Sequence, residues 1–176
     1  MARSLARRLN RVLNRTVSDS RLSVSPATDD GDGDTFELER LVEGEDVPLE
    51  LHGSTARLSV RQVVVVKDGR CKTESYEYRL QADESRKSWL MRWEYERERP
   101  RRDYPYPLAH MHIRATYPDG TPIDGHPVDR HHIPAGGRGH PIPLEEIIRY
   151  LITDRGVKSK SKNWEAILEE SAKTFD

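Results

Sequence analysis

The sequence predicts an α+β protein: an antiparallel, meander-like sheet of five to six strands covered by two C-terminal helices, with an N-terminal amphipathic helix. The prediction rests on side-chain periodicity. Apolar and polar side chains alternate with the period of a strand through much of residues 35–117. Residues 143–175 place apolar side chains at helical spacing instead, and residues 1–17 do so among arginines.

Composition divides the chain into three parts. Residues 1–17 form a basic amphipathic helix with five arginines and no acidic residue. This helix is interpreted as packing on the domain, or as binding a partner, a nucleic acid or a membrane surface. A transit peptide has a similar composition. Residues 18–34 are rich in Ser, Asp and Gly and predict an acidic flexible linker. Residues 35–176 are predicted to form a single α+β domain, since the length of the chain favours one core.

The first long strands are predicted to form a hairpin. The stretch "RLSVRQVVVVKDGR" ends in Asp68-Gly69, a dipeptide typical of two-residue hairpin turns, and "CKTESYEYRLQ" follows as the return strand. The next strand, "KSWLMRWEYERE", alternates throughout. Its tryptophans and methionine face one way, whereas Arg92, Glu94 and Glu96 face the other.

The stretch "AHMHIRATY" predicts the following strand. Its period of two turns Ala109 and Met111 toward the core, and places His110, His112 and Arg114 together on the opposite face. Two residues along a strand span about 7 Å, so the two imidazoles are expected to lie close together.

Two helices are predicted after this strand. The stretch "PLEEIIRYLITDRG" begins with Pro143 in its first turn, carries an apolar stripe and ends at Gly156. The stretch "SKNWEAILEESAKTF" has Ser161 as a candidate N-cap. We expect both helices to cover one face of the sheet and to leave the other face, or a cleft at its edge, for function.

The histidine pair has three interpretations. Histidines near an arginine can exchange protons with a substrate, and His110, His112, Glu94 and Arg92 have the residue types that cleavage of RNA requires. A His-x-His pair with Glu94 or a later histidine can instead hold a metal ion at a site with an open position. Histidines on a solvated sheet face can also be no more than polar surface.

A basic loop precedes the histidine strand. It carries Arg97, Arg99, Arg101 and Arg102, and its tyrosines alternate with prolines. Arginines with aromatic residues can grip phosphates and stack on bases, so these residues and Arg114 are candidate nucleic-acid contacts. Neighbouring glutamates support a plainer interpretation, in which the arginines form ion pairs in solvent.

Several function classes find no support in the sequence. The chain has no phosphate-binding glycine loop, no CxxC pair and no serine nucleophile motif, so we expect no nucleotide cofactor and no serine hydrolysis. Its net charge of −1 argues against coating nucleic acid by charge alone. The single cysteine permits no internal disulfide, which fits the cytoplasm. No apolar run is long enough to span a membrane, so we expect no membrane-embedded segment.

The order of these features resembles the TumE-like toxins of toxin–antitoxin systems. The resemblance spans about residues 60–152 and lies in the hairpin, the tyrosine strand, the Arg-Trp-acid step, the His-x-His strand and the leucine-rich helix. The matching residues are Tyr76, Tyr78, Arg92, Trp93, Glu94, His110, His112 and residues 144–152. Glu94 stands where the family usually has Asp. The resemblance implies a growth-inhibiting toxin that acts on RNA and is held by a cognate antitoxin.

The leading prediction is therefore a cytoplasmic toxin with metal-independent ribonuclease chemistry. His110 and His112 are the predicted acid–base pair, Glu94 orients a histidine, and Arg92 and Arg114 hold phosphate. A non-catalytic module that binds RNA or protein is the alternative, and a metal-dependent hydrolase is the third possibility. The sequence leaves open the RNA target, the antitoxin and the oligomeric state. It also leaves open whether a later histidine completes a metal site; these are His126, His131, His132 and His140.

Overall fold

The computed structural model describes residues 1–27, 34–97, 108–114, 133–134 and 140–173. It confirms the predicted α+β class, with an antiparallel sheet, one N-terminal helix and two C-terminal helices. The helices are α1 (Ala2–Thr16), α2 (Leu144–Thr153) and α3 (Trp164–Ala172). The strands are β1 (Ser23–Pro26), β2 (Asp34–Glu39), β3 (Leu41–Val42), β4 (Glu45–Asp46), β5 (Leu49–Glu50), β6 (Arg57–Lys67), β7 (Arg70–Gln81), β8 (Trp89–Glu96), β9 (Ala109–Ile113) and β10 (Ile133–Pro134).

The main sheet has the order β1-β2-β6-β7-β8-β9-β10, with β5 also paired to β6, and each pairing is antiparallel. Strands β6 to β9 form the predicted meander. The described residues contribute eight strands to this sheet, more than the sequence predicted. The short strand β10 lies in the stretch "RHHIP", where the sequence also allows a strand. The strands β1 and β5 were not predicted, because four and two residues are too few for alternation to become visible.

The predicted hairpin turn joins β6 to β7. Asp68 and Gly69 have φ angles of 51° and 71°, so both lie in the left-handed region that a type I′ turn requires. This turn matches the right-handed twist of the strands and sets the pairing of Lys67 with Arg70.

The N-terminal helix is part of the core. Its apolar face is buried, and the carbonyl of Thr16 accepts a hydrogen bond from the backbone N–H of Lys160 (2.7 Å). The predicted flexible linker needs correction where it forms β1, which pairs with β2. Leu22, just before β1, is buried and hydrogen-bonded through its backbone to the Asn10 side chain. Isolated apolar residues such as Leu22 carry too little periodicity to predict this packing.

The C-terminal helices pack against one face of the sheet, as predicted. The ring of Trp93 meets that of Tyr150 edge-on at 5.8 Å, and the Tyr150 hydroxyl donates to the sulfur of Met91 (3.1 Å). Helix α2 ends at Thr153 and α3 is preceded by Asn163 rather than by the expected cap Ser161. Among the described residues, no helix is both long and apolar enough to cross a membrane.

Candidate functional site

The face of the sheet that points away from the helices carries charged and imidazole side chains. Strand register places Glu94 directly opposite His110, and Arg92 directly opposite His112. Alternate residues of a strand share a face, so these four side chains project together on the side away from Trp93. We call Glu94, His110 and His112 the histidine–carboxylate cluster.

The cluster is organised around one oxygen atom. The Nε2 atoms of His110 and His112 lie 3.1 and 3.2 Å from Oε2 of Glu94. The two imidazole rings are 5.1 Å apart between centroids and nearly perpendicular. Both histidines therefore reach the same point from neighbouring positions on one strand.

Both histidines are buried: His110 is 1% exposed and His112 is 3% exposed. The interpretation of the pair as solvated polar surface is therefore wrong. Periodicity shows that two side chains share a face, but it does not show whether solvent reaches that face. Buried imidazoles at hydrogen-bond distance from a carboxylate form an organised polar site.

Glu94 is held as an anion. Burial raises the pKa of its carboxyl group, but the hydrogen bond from His110 and the charges of Arg92, His112 and His110 outweigh burial and lower the pKa to about 2. An ionised carboxylate only accepts hydrogen bonds, so each Nε2 must carry the proton that it shares with Oε2.

Arg92 adds a positive charge beside the cluster. Its Nε lies 2.8 Å from Oε1 of Glu94, and its guanidinium stacks over the Trp89 ring at 5.4 Å. Arg79 lies directly opposite Arg92 on β7 and donates to Glu77 (2.6 Å). The sequence did not single out Arg79, although the period of two in "SYEYRLQ" places it on this face.

The other predicted phosphate-binding arginines lie outside the cluster where the structure describes them. Arg97 follows the end of β8 and donates through Nε and Nη2 to the carbonyl of Thr73 (3.0 and 2.8 Å). Arg114 follows the end of β9 and donates to the carbonyl of Lys87 (2.6 Å). These two side chains therefore hydrogen-bond to backbone carbonyls near opposite ends of β8, and neither lies in the cluster.

Several predicted residues lie outside the described residues: Arg99, Arg101, Arg102, His126, His131 and His132. His140 is described and is exposed. The role of these arginines in nucleic-acid contact stays a prediction.

The cluster matches the ligand set of a catalytic metal centre. Glu94, His110 and His112 each offer one ligand atom, and these atoms lie within 4.8 Å of one another. Two imidazoles and one carboxylate hold catalytic zinc in some hydrolases and iron in some oxygenases. Zinc bonds of about 2.1 Å at tetrahedral angles separate ligand atoms by about 3.4 Å. The observed Nε2–Oε2 distances of 3.1 and 3.2 Å are close to this separation.

The same geometry is less suited to acid–base cleavage by the two imidazoles alone. In-line displacement at phosphorus places the attacking and leaving oxygens on opposite sides. A base and an acid must then approach the phosphate from opposite sides. The Nε2 atoms of His110 and His112 instead converge on one point from the same strand.

Comparison with known proteins identifies no relative: no family model, curated protein or solved structure matches the chain. The resemblance to TumE-like toxins accordingly stays a prediction.

Proposed function

We propose that the chain is a metal-dependent hydrolase whose ion is held by Glu94, His110 and His112. The observation that carries the proposal is the convergence of two buried Nε2 atoms on one carboxylate oxygen. Metal binding would replace the two protons that the imidazoles share with Glu94. Three protein ligands leave a coordination position for water, whose pKa a bound zinc ion lowers to about 7.

The position of the Arg92 charge favours an anionic substrate. Its charge lies next to the cluster, and the Trp89 ring and Glu94 Oε1 fix its guanidinium in place. A guanidinium is suited to phosphate because it donates two parallel hydrogen bonds. The proposed substrate is therefore a phosphoester, and RNA is the phosphodiester that the resemblance to TumE-like toxins predicts. The toxin role, the cognate antitoxin and a cytoplasmic location are proposals that rest on this resemblance.

The metal-independent ribonuclease is the second candidate. One observation favours it: the ionised Glu94 hydrogen-bonds both imidazoles and would orient them as a catalytic carboxylate orients a general base. In this version His110 and His112 exchange protons with RNA directly. Metal content and the response of cleavage to a chelator separate the two candidates.

The test begins with elemental analysis of the purified chain and of single-site variants. We expect about one transition-metal ion per native chain, and a loss of more than roughly 100-fold in metal affinity in Glu94→Gln, His110→Ala and His112→Ala, because even a partner outside the coordination shell contributes 10- to 100-fold. His140→Ala is the matched control, since it removes an exposed histidine. It should bind metal as the native chain does.

Cleavage of RNA is then measured before chelation, after chelation and after the metal is restored. The proposal is supported if cleavage is lost on chelation, returns when the metal is restored, and requires all three ligands. Cleavage that survives chelation but falls by roughly 10²–10⁴ in the histidine variants establishes the metal-independent candidate. Metal binding without cleavage of RNA retains the ion site and refutes RNA as the substrate.

A further inference from the structure

A second polar site lies on the opposite, helix-covered face of the sheet. It is a cavity of about 270 Å³ between the helices and β7. Its apolar wall includes Leu9 of α1, Ile142 and Leu144, and the tyrosines Tyr76 and Tyr78, whose rings stack at 4.3 Å. The cavity is separate from the histidine–carboxylate cluster because the tyrosines project away from that face.

A buried carboxylate lines this cavity. Glu145 is 1% exposed, and its Oε1 accepts a hydrogen bond from Ser171 (2.6 Å) and lies 3.6 Å from Nη2 of Arg8. Its Oε2 is buried and has no hydrogen-bond partner among the residues that the structure describes. Buried carboxylate oxygens are rarely left without a donor, since desolvation of the group is then uncompensated.

Two hydroxyl groups at the cavity can accept hydrogen bonds as well as donate them. Oγ1 of Thr73 accepts from Nε2 of Gln62 (2.9 Å), and Oη of Tyr76 accepts from the backbone N–H of Ile142 (2.9 Å). A hydroxyl oxygen has two lone pairs, so each can accept one more hydrogen bond. The cavity thus offers oxygen acceptors beside an apolar wall.

We propose that this cavity binds a small organic amine in its protonated form. An ammonium group carries three donors and no acceptor, which complements the oxygens of Glu145, Thr73 and Tyr76. A charge-assisted hydrogen bond to the open carboxylate oxygen is the strongest contact available there. The apolar body of the amine packs against Leu9, Ile142 and the tyrosines. A water molecule needs two to four polar partners and fills about 30 Å³, so water alone matches the apolar part of this cavity poorly.

The test uses benzylamine as the probe, with benzyl alcohol and benzoate as neutral and anionic analogues of similar shape. The unfolding temperature of the full chain is measured against the concentration of each compound. At one hundred times its dissociation constant, benzylamine is expected to raise this temperature by roughly 5 °C or more. Benzyl alcohol should act only weakly, and benzoate should have no effect.

Two variants and one control assign the binding to this cavity. Glu145→Gln keeps the shape of the side chain and should abolish the response to benzylamine. Glu146→Gln, at the exposed neighbouring position, should retain it. If Glu145→Gln fails to fold, Ala172→Phe is used instead. Ala172 lines the cavity, so a phenylalanine ring at this position should fill the cavity and abolish the response to benzylamine. Ala172 is also exposed, so the substitution should leave the chain folded.

The proposal is overturned if benzylamine does not stabilise the native chain. It is also overturned if the three compounds act equally, or if a folded Glu145→Gln or Ala172→Phe chain still responds. None of these outcomes depends on metal binding or on RNA cleavage.

Discussion

Replacing Glu94 with Gln is expected to change how the stability of the metal-free protein depends on pH. Folding lowers the pKa of Glu94 from its ordinary value of 4.5 to about 2. This difference of about 2.5 pKa units corresponds to roughly 3 kcal/mol, since each unit is worth about 1.4 kcal/mol. Because the folded state has the lower pKa, this stabilisation is fully present above pH 4.5 and is lost as the pH falls toward 2.

The assay is urea unfolding of the native and Glu94→Gln chains at a series of pH values from about 5 to about 2, below the range in which free histidines titrate, with a chelator present. The free energy of unfolding of the native chain should fall by roughly 3 kcal/mol more than that of the variant over this range. Glu146→Gln is the control, since its half-exposed carboxylate belongs to α2, which packs on the face of the sheet opposite the cluster. Parallel pH curves for the native and Glu94→Gln chains would refute the reasoning that the cluster holds Glu94 as a stabilised anion.

Two further predictions concern toxicity and the N-terminal helix. Induced expression of the native chain is expected to arrest growth, whereas the double variant His110→Ala, His112→Ala at a matched protein level should not; arrest by both would remove the histidines from the toxic activity. Leu13→Ala should lower the free energy of unfolding by about 2–5 kcal/mol, because Leu13 is fully buried. Arg15→Ala on the exposed side of α1 should change it by less than about 0.5 kcal/mol, and equal effects of the two substitutions would contradict a core role for the helix.

Sequence patterns predicted those turns, helices and strands that are determined by residues close together in the sequence. The turn at Asp68 and Gly69 follows from the preference of this dipeptide for positive φ. The apolar stripe of α2 predicted a helix that buries Ile148 and Leu151. The alternation in β9 placed His110 and His112 on one face, and the alternation in β8 placed Arg92 and Glu94 on one face, so the period of two predicts which side chains can meet in the candidate site.

The long-range packing of α1 and β1 was not predictable in the same way. The arginines of α1 did not indicate which surface the helix packs against, because a basic amphipathic helix can face a domain, a membrane or a nucleic acid. Its actual partners include α3, where Arg8 donates to the carbonyl of Ser171 (2.6 Å). This contact joins residues 163 positions apart, and no local pattern encodes such a separation.

The register between β8 and β9 decides whether the candidate site exists, and the core on the other face supports that register. Tyr95 pairs with Ala109, and both are buried, so the small alanine side chain accommodates the large ring. A slip of one residue would turn the histidines toward the helices. A slip of two residues would keep them on their face but break the pairing of Tyr95 with Ala109 and move His110 away from Glu94. The packing of apolar side chains on the helix-covered face therefore positions the proposed metal ligands on the other.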